Sequence, residues 1–512
     1  MSKWMALPLL GLGALSALAH PPWSQIWTMF IGFVALAWAL ESARQTRRPF
    51  WAGVWRAGAF GYGYFFVSVI WVRHAFYVEA DRFGDLAWIA VLLLALVLAS
   101  FWAVAGGVAT RLARLPSAQP FVYAAVFTLA EWGRSVLFTG FPWNMPGAIW
   151  HPGQAISQMA ALFGLLGLTG LTFFLAFALQ VALRPRKGRS VAPFVVALSI
   201  FVASGLWGVQ RLATEAPAHD ITLRFVQANV TQGDKWRPEH RAQILADHLA
   251  LSRTDDNTPA DILVWPEAAI PTALLDDTSA QAAIAQHLSE GQILVVGSYR
   301  VKRQDSGNQY YNSLLVFEVT GDDLRLLKTY DKHHLVPFGE YLPFEDIFSR
   351  LGLKKLVSVG DSFSPGAQPT PIKIPVGNDT VTLFPLICYE ALFPQAMRGA
   401  READLLVNVS NDAWFGHDIG PHQHLNQARF RAIETGVPMV RATPTGISAY
   451  ITAQGQVADE NRLNPGAFGY RDVKITGRKS TLFAENWKHR IVFIAILVGL
   501  LFSLRSEEKL SI

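Results

Sequence analysis

The stretch 384-FPLICYEALFP-394 contains Cys388, the only cysteine among the 512 residues of the chain. The residues before Cys388 are almost entirely apolar, and a Tyr-Glu pair follows it. A short, continuous apolar run of this kind is typical of a strand in a sheet whose two faces are both covered. A free cysteine in such a place is usually an ordinary core residue. Whether Cys388 is a core residue or a reactive thiol therefore has to be judged from the remainder of the sequence.

Charge is distributed unevenly along the chain. Charged residues make up 16% of it and hydrophobic residues 51%, whereas soluble domains usually carry about 25% charge. Of the 39 acidic residues, the ones before residue 217 are Glu41, Glu79, Asp81, Asp85, Glu131 and Glu215. The sequence therefore predicts a membrane domain over residues 1–209 and a water-exposed domain over residues 217–483.

Several apolar segments approach the length of about 20 residues that crosses a bilayer. They are 4–20, 24–41, 53–73, 86–110, 119–135, 157–183, 192–209 and 489–505. About seven transmembrane helices are thus expected before the second domain, and one transmembrane helix, 489–505, is expected after it.

Basic residues lie at one end of these segments. They are Lys3, Arg44, Arg47, Arg48, Arg111, Arg114, Arg184, Arg186, Lys187, Arg189 and Arg505. The positive-inside rule makes this side cytoplasmic and places residues 210–488 outside, in the periplasm of a bacterium with two membranes. The net charge of +5 is then a topology signal, and no nucleic-acid partner is expected. A signal peptide ending at 17-ALA-19 remains an alternative for the first segment, and its removal would leave every later loop on the same side.

From residue 217 onward, β-rich runs alternate with helical patterns. The runs are 221-ITLRFVQANV, 261-DILVWPEAAI, 293-ILVVGSYR, 313-SLLVFEV, 381-VTLFPLICYE and 404-DLLVNVSND. Helical patterns cover 236–253 and 278–290. This alternation predicts a layered α/β domain that is large enough to bury its own core.

Three reactive side chains stand at or near the ends of apolar runs. Glu267 follows 262-ILVWP-266, Lys332 lies in 330-YDKHHLVPFGEYLP-343, and Cys388 ends 383-LFPLIC-388. Individually they are consistent with a helix cap, a solvated lysine and a core thiol. Together they provide a general base, a cation that favours the thiolate and stabilises an oxyanion, and a nucleophile. We therefore expect a thiol of low pKa, with the backbone N–H of Tyr389 as a second oxyanion donor.

The segments WPE, KHHLVPFGE and CYE resemble the Glu-Lys-Cys triad of the nitrilase, or carbon–nitrogen hydrolase, superfamily. Over its full length the chain is similar to the bacterial apolipoprotein N-acyltransferase family, and 408-NVSNDAWFG-416 adds to the resemblance. The resemblance implies a multi-span α-helical membrane domain followed by an α-β-β-α sandwich. It makes Glu267 the base, Lys332 the oxyanion-stabilising cation and Cys388 the acylated nucleophile.

The same resemblance assigns supporting residues. Glu340 becomes a second active-site carboxylate that orients Lys332, and Asn312 lines the site. Tyr389 and Glu390 shape the pocket behind the thiol. Residues that match positions lining or gating the site are Trp236 and Trp414.

Two further features permit more than one interpretation. The loop 140-GFPWNMPGAIW-150 resembles the family's aromatic membrane-interface loop, and Trp143 and Trp150 are also typical interfacial anchors. Three histidines crowd one segment, namely His417, His422 and His424. No carboxylate stands at a recognisable ligand spacing from them, so no metal is expected. No cofactor is expected either, because glycine loops of the Walker or dinucleotide type are missing from the sequence.

The function that the resemblance implies is transfer of an acyl chain from a phospholipid, through a thioester on Cys388, to an apolipoprotein. The donor would be phosphatidylethanolamine and the acceptor the α-amine of an N-terminal diacylglyceryl-cysteine, at the bacterial inner membrane. A membrane-tethered amidase that uses water as acceptor remains an alternative. A transporter or receptor is a further alternative, but its transmembrane segments usually carry polar groups near the midplane, and few charges lie in these segments.

Overall fold

The computed structural model describes residues 6–113, 118–183, 191–214, 218–253, 259–305, 307–343 and 362–479. The chain divides into two compact units. Unit 1 contains the described residues up to Arg73 and from Leu86 to Thr214, and unit 2 contains His74–Asp85 and the described residues after Thr214. The predicted closing helix 489–505 lies outside the described residues.

Unit 1 is built from apolar helices. Those of more than ten residues in its described part are α1 Ala6–Ala17, α2 Ile26–Arg44, α3 Pro49–Ser68, α4 Ala87–Leu112, α5 Gln119–Val136, α6 Ala160–Ala182 and α7 Ala192–Ala213. The segments long and apolar enough to cross a membrane are Ile26–Arg44, Ala80–Leu112, Gln119–Thr139, Ile156–Ala182 and Ala192–Ala213. Helix α1 is short, and tyrosines, glycines and Arg56 make α3 more polar. The expectation of seven spans therefore stays a prediction, although each of the seven predicted segments before residue 210 contains a helix.

Glycines allow the helices of unit 1 to approach closely. A Cβ added at Gly53 of α3 would lie 2.3 Å from the carbonyl oxygen of Gly106 in α4, and one at Gly106 would lie 2.6 Å from that of Gly53. Close backbone approach of this kind supplies the packing energy between helices in lipid, where the hydrophobic effect does not draw helices together.

The loop between α5 and α6 packs inside unit 1. Trp143 is buried, and its ring centroid lies 4.5 Å from that of Trp71. The guanidinium of Arg134 donates to the Trp143 carbonyl at 2.9 Å. The interfacial-anchor interpretation is therefore wrong for Trp143, because its ring is buried inside the unit. Trp150 is partly buried and donates to the Thr172 hydroxyl at 2.9 Å.

Unit 2 contains two six-stranded sheets. Their strands are β1 Ala218–Gln227, β2 Ile262–Trp265, β3 Ile293–Lys302, β4 Gln309–Thr320, β5 Asp323–Asp331, β6 Ile372–Val376, β7 Asp379–Ile387, β8 Leu405–Val409, β9 Met439–Ala442, β10 Ser448–Ile451, β11 Arg462–Leu463 and β12 Gly469–Thr476. The first sheet has the order β12-β1-β2-β3-β4-β5 and the second β11-β10-β9-β8-β7-β6. All six predicted β-rich runs contain strands.

The sheets face each other across an apolar core and carry helices on their outer faces. Ile262 and Val264 of β2 belong to the core between the sheets, and Leu263 and Trp265 pack with the helices outside. Helices α8 Arg241–Ser252 and α9 Thr278–His287 cover the first sheet, and α10 Gly420–Thr435 covers the second. The predicted α-β-β-α sandwich is confirmed. Both faces of β2 are covered, which explains its continuous apolar sequence.

Candidate active site

The three predicted triad residues lie just beyond the carboxyl ends of strands. Glu267 is two residues beyond β2, Lys332 directly follows β5, and Cys388 directly follows β7. Strands β2 and β3 are parallel, and the antiparallel pairs β3–β4 and β4–β5 return β5 to the same direction. The ends of β2 and β5 therefore reach the same edge of the sheet. There the Lys332 Nζ lies 3.6 Å from the Glu267 Oε1.

Two carboxylates, an amide and an ammonium form one buried network. The Asn312 Nδ2 donates to Glu267 Oε1 at 2.6 Å and to Glu340 Oε1 at 2.8 Å. The Lys332 Nζ donates to Glu340 Oε1 at 2.9 Å, and the Val336 N–H donates to Glu340 Oε2 at 2.8 Å. Only 1% of Lys332 is exposed, so the solvated-lysine interpretation is wrong. Lys332 and Asn312 both bridge the two carboxylates, which holds Glu267 in one orientation.

The Glu267 turn packs directly against β3. The Gly297 N–H donates to the Pro266 carbonyl at 3.2 Å, and the Gly297 carbonyl accepts from the Ala269 N–H at 3.0 Å. A Cβ at Gly297 would stand 2.4 Å from the Glu267 Cα. Residues after Pro266 form a turn rather than a helix, so the helix-cap interpretation of Glu267 is wrong. Gly297 is therefore the position that allows the proposed base to reach the site.

Gly297→Ala is expected to reduce activity through displacement of Glu267. Relief of a 2.4 Å contact requires the backbone of the turn to move, and misplacement of a catalytic group by about 1 Å reduces rates by about 10²-fold. Steady-state kinetics of acyl transfer would measure the effect. A matched control is Gly469→Ala, where the nearest atom to the new Cβ, in the Leu463 side chain, stands at an ordinary contact distance of 3.6 Å. Equal kinetics for Gly297→Ala and wild type would contradict the role of this contact.

Cys388 adopts a backbone conformation that is unusual for a residue other than glycine. Its φ is +51°, in the left-handed region, and it begins the short 3₁₀ turn Cys388–Leu392. Such conformations cost about 1–3 kcal/mol and concentrate at functional sites. The sharp turn ends the strand and starts the helical turn at the thiol, as a nucleophile elbow does.

Glu390 joins the loop of Lys332 to the turn of Cys388. Its Oε1 accepts from the Tyr330 hydroxyl at 2.6 Å and from the backbone N–H groups of His333 at 2.9 Å and His334 at 3.1 Å. Its Oε2 accepts from the Ile387 N–H at 2.8 Å. Glu390 is wholly buried. Its contacts position the two chain segments that carry the proposed cation and nucleophile, a more specific role than the pocket wall predicted for it.

The thiol is not an acidic one. Burial and, next, the negative charge of Glu267 raise the pKa of Cys388 to about 12, although Lys332 and the Asn411 backbone N–H act in the opposite direction. Burial lowers the pKa of Lys332, but Glu340 and Glu267 raise it more, so the ammonium stays charged. The expectation of a low-pKa thiol is therefore wrong for the unliganded molecule. Proton transfer to a base has to accompany attack by the sulfur.

The remaining predicted residues have simpler surroundings. Trp236 and Trp414 are partly exposed, and the Trp236 ring centroid lies 6.0 Å from that of Tyr299. The buried Tyr389 ring packs against Phe393, with centroids 4.9 Å apart. Their roles in gating or in binding substrate remain predictions.

A buried ionic cluster lies at the ends of β8 and β9, and sequence reasoning missed it. The Asp412 Oδ1 accepts from the Arg441 Nη2 at 2.7 Å and is 2.9 Å from the His424 Nδ1. Asp412 belongs to the motif 408-NVSNDAWFG-416, which was the available signal. The structure thus pairs His424, one of the three neighbouring histidines, with this carboxylate. In the described ranges, no group of three or more His, Cys, Asp or Glu side chains is arranged to hold a metal ion.

Two family models match this chain. The family model described as carbon-nitrogen hydrolase matches residues 222–476, which defines unit 2 as a nitrilase-like enzyme domain. A second family model, described as the apolipoprotein N-acyltransferase N-terminal domain, matches residues 12–178.

Full-length relatives extend the similarity to the whole chain. The apolipoprotein N-acyltransferase of Caulobacter vibrioides is 39% identical over 95% of this chain and 91% of its own length. That of Allorhizobium ampelinum is 39% identical over 90% of this chain and 88% of its own. An amidase from Nesterenkonia sp. AN1 aligns in structure with 53% of this chain and 98% of its own, at 19% identity and a TM-score of 0.34. The chain belongs to the apolipoprotein N-acyltransferase family, and its predicted acyltransferase and membrane character is confirmed.

Proposed function

We propose that this enzyme transfers an acyl chain from a phospholipid to the N-terminal α-amine of diacylated apolipoproteins. Membership of the family supports lipoprotein N-acylation. The observation that carries the chemistry is the buried Glu267–Asn312–Glu340–Lys332 network, whose charges act on the Cys388 thiol. The donor is phosphatidylethanolamine, attacked at its sn-1 ester, and the intermediate is a thioester.

In the first half-reaction the Cys388 sulfur attacks the ester carbonyl carbon. Glu267 takes the thiol proton as the S–C bond forms, which is required because the thiol of the resting enzyme is protonated at neutral pH. Lys332 and the Tyr389 N–H stabilise the oxyanion of the tetrahedral intermediate. As the C–O bond breaks, Glu267 returns the proton to the leaving lyso-phospholipid. The product of this step is an acyl thioester on Cys388.

In the second half-reaction the α-amine of the diacylglyceryl-cysteine attacks the thioester carbonyl. Glu267 accepts a proton from the attacking nitrogen, the C–S bond breaks, and the sulfur recovers the proton from Glu267. An amide forms, and free Cys388 is regenerated. The two substrates react in sequence through a covalent intermediate, so the kinetics are of the ping-pong type.

The membrane unit explains how lipid substrates reach such a site. Each acyl CH₂ group brought into water costs about 0.8 kcal/mol, so neither lipid travels through the aqueous phase. A multi-pass helical unit keeps the chemistry at the bilayer, which we place in the bacterial inner membrane with unit 2 facing the periplasm. Trp236 and Trp414 are the proposed lid residues that limit hydrolysis of the thioester.

The choice of acceptor separates this proposal from the amidase alternative. The purified protein would be mixed with liposomes of phosphatidylethanolamine labelled in the sn-1 chain and with a diacylated lipopeptide. We expect equal amounts of labelled triacylated peptide and lyso-phosphatidylethanolamine, measured by mass spectrometry. Label recovered chiefly as free fatty acid, with the peptide amine unmodified, would contradict the proposal and favour a hydrolase.

A further inference from the structure

Lys235 is a second lysine buried beside the proposed base. It ends the one-turn helix Gln232–Lys235, which begins where the Thr231 hydroxyl accepts from the Asp234 N–H. Its side chain is wholly buried, and its Nζ donates to the main-chain carbonyl of Glu267 at 3.2 Å. An isolated ammonium in such a place is strongly unfavourable. Its position is therefore explained by a charge that it compensates.

The surrounding charges identify that partner. Lys332 makes its hydrogen bond to Glu340 at 2.9 Å and lies farther, at 3.6 Å, from Glu267. The carboxylate of Glu340 is thus the main partner of Lys332. The negative charge of Glu267, and next that of Cys388 once its thiol is ionised, raises the pKa of Lys235. Lys332 lies 3.6 Å from the Glu267 carboxylate and Lys235 donates to the Glu267 main chain, so the two ammonium groups together balance the carboxylates of Glu267 and Glu340.

The short helix also connects the base to the nucleophile. The Asn411 Nδ2 donates to the Gln232 Oε1 at 2.9 Å, and the Asn411 backbone N–H interacts with the Cys388 thiol. One four-residue turn thus contacts Glu267 at its end and the segment beside Cys388 at its start. This places the Lys235 charge where it acts on both ends of the proton transfer.

We propose that Lys235 is a positioning residue that supplies the counter-charge for Glu267. The inference rests on the proposed role of Glu267 as general base. While Glu267 is ionised, Lys235 balances its charge. When the thiol proton moves to Glu267, the negative charge moves to sulfur and then to the carbonyl oxygen, and Lys235 continues to compensate it. The proton transfer therefore creates no uncompensated buried charge.

The pKa of Lys235 supports this role, because it sets the pH range in which the side chain carries its charge. Burial lowers the pKa of Lys235 to about 8, while Glu267 and Cys388 act to raise it. Another titratable group affected by it is His248 of α8. Burial and, to a smaller extent, the positive charge of Lys235 lower the pKa of His248 to about 4. His248 is therefore neutral near pH 7. Lys235 carries its charge below about pH 8 and loses it above that pH, so the counter-charge is present at neutral pH.

Alkylation and acyl transfer test the proposal together. Because Cys388 is the only cysteine, reaction of the full-length protein with a small thiol reagent reports on this residue alone. Lys235→Gln removes the charge but keeps an N–H donor. It is expected to slow alkylation at pH 7 about tenfold and to raise the pH midpoint of the acidic limb of kcat/KM by about one unit, as expected when a nearby cation is lost. The exposed Lys373→Gln is the matched control and should change neither quantity.

Lys235→Arg provides a readout that misfolding does not imitate. Wild-type acyl transfer should decline above about pH 8, as Lys235 loses its proton. Arginine stays protonated there, so the decline should move to higher pH in Lys235→Arg. Unchanged pH profiles for both Lys235 variants would overturn the inference. A wild-type enzyme that forms no acylated Cys388 would instead refute the proposed function, and the alkylation rates would still decide whether Lys235 acts on the thiol.

Discussion

Cys388→Ser is expected to reduce acyl transfer by about 10⁶-fold, the loss found when the nucleophile of a catalytic unit is removed. The hydroxyl is a much weaker acid than the thiol, and the burial that raises the thiol pKa to about 12 acts on it as well. Glu267 would then be unable to take the proton at a useful rate. Formation of triacylated lipopeptide from phosphatidylethanolamine is the measurement.

The serine variant should remain folded. The exchange changes one atom at a buried position and keeps a residue able to adopt the φ of +51°. Thermal unfolding of the detergent-solubilised variant should therefore match that of wild type within a few degrees. A folded Cys388→Ser enzyme that keeps a tenth or more of its acyl transfer would contradict the role of the thiol.

Asp412→Ala is expected to lower the free energy of unfolding by about 3–5 kcal/mol, because it leaves the buried guanidinium of Arg441 without its carboxylate. Both side chains are wholly buried, and their charged atoms are 2.7 Å apart. Burial raises the pKa of Asp412, but Arg441 and His424 lower it more, to well below its ordinary value. A depressed folded-state pKa stabilises the protein above the unfolded pKa of about 4, so the full effect is present at pH 7. Denaturant unfolding at pH 7 would measure it.

Asp472→Ala provides the comparison. Asp472 also pairs with a buried arginine, Arg224, at 2.6 Å, but more than a third of its own side chain is exposed. Water can replace part of the lost interaction, so a loss nearer 1 kcal/mol is expected. If the two variants lost equal stability, or Asp412→Ala lost less, the Asp412–Arg441 pair would not be the stabilising element that its burial indicates.

The parts of the fold predicted from sequence are those with an uninterrupted apolar signal. Strands β2, β7 and β8 lie between covered faces and were predicted from their composition. Strand β5, 323-DLRLLKTYD-331, lies at the edge of its sheet, buries only Leu324 and Tyr330 and contains several charges, so no continuous apolar run revealed it. Which side chains of an edge strand are buried depends on the elements that pack against it, and the local sequence does not specify those elements.

In the candidate site, too, some features could be predicted from the sequence and others could not. The positions of Glu267, Lys332 and Cys388 just beyond strand ends were predictable because reactive residue types stood at the ends of apolar runs, and their catalytic roles stay predictions. Lys235 and Asp412 were not, because a charged residue acquires meaning only from partners brought near by the fold. The thiol pKa was predicted in the wrong direction because the sequence indicated the neighbouring lysine but not the degree of burial or the pairing of that lysine with Glu340.

The central claim is that Cys388 carries the acyl group between the two substrates. Intact-protein mass spectrometry after incubation with phosphatidylethanolamine liposomes tests it most directly. The proposed mechanism predicts a mass gain of one acyl chain on Cys388, removed by hydroxylamine and discharged to the amine of an added diacylated lipopeptide. Full turnover with no adduct at any quench time, or an adduct that the lipopeptide leaves in place, would contradict it.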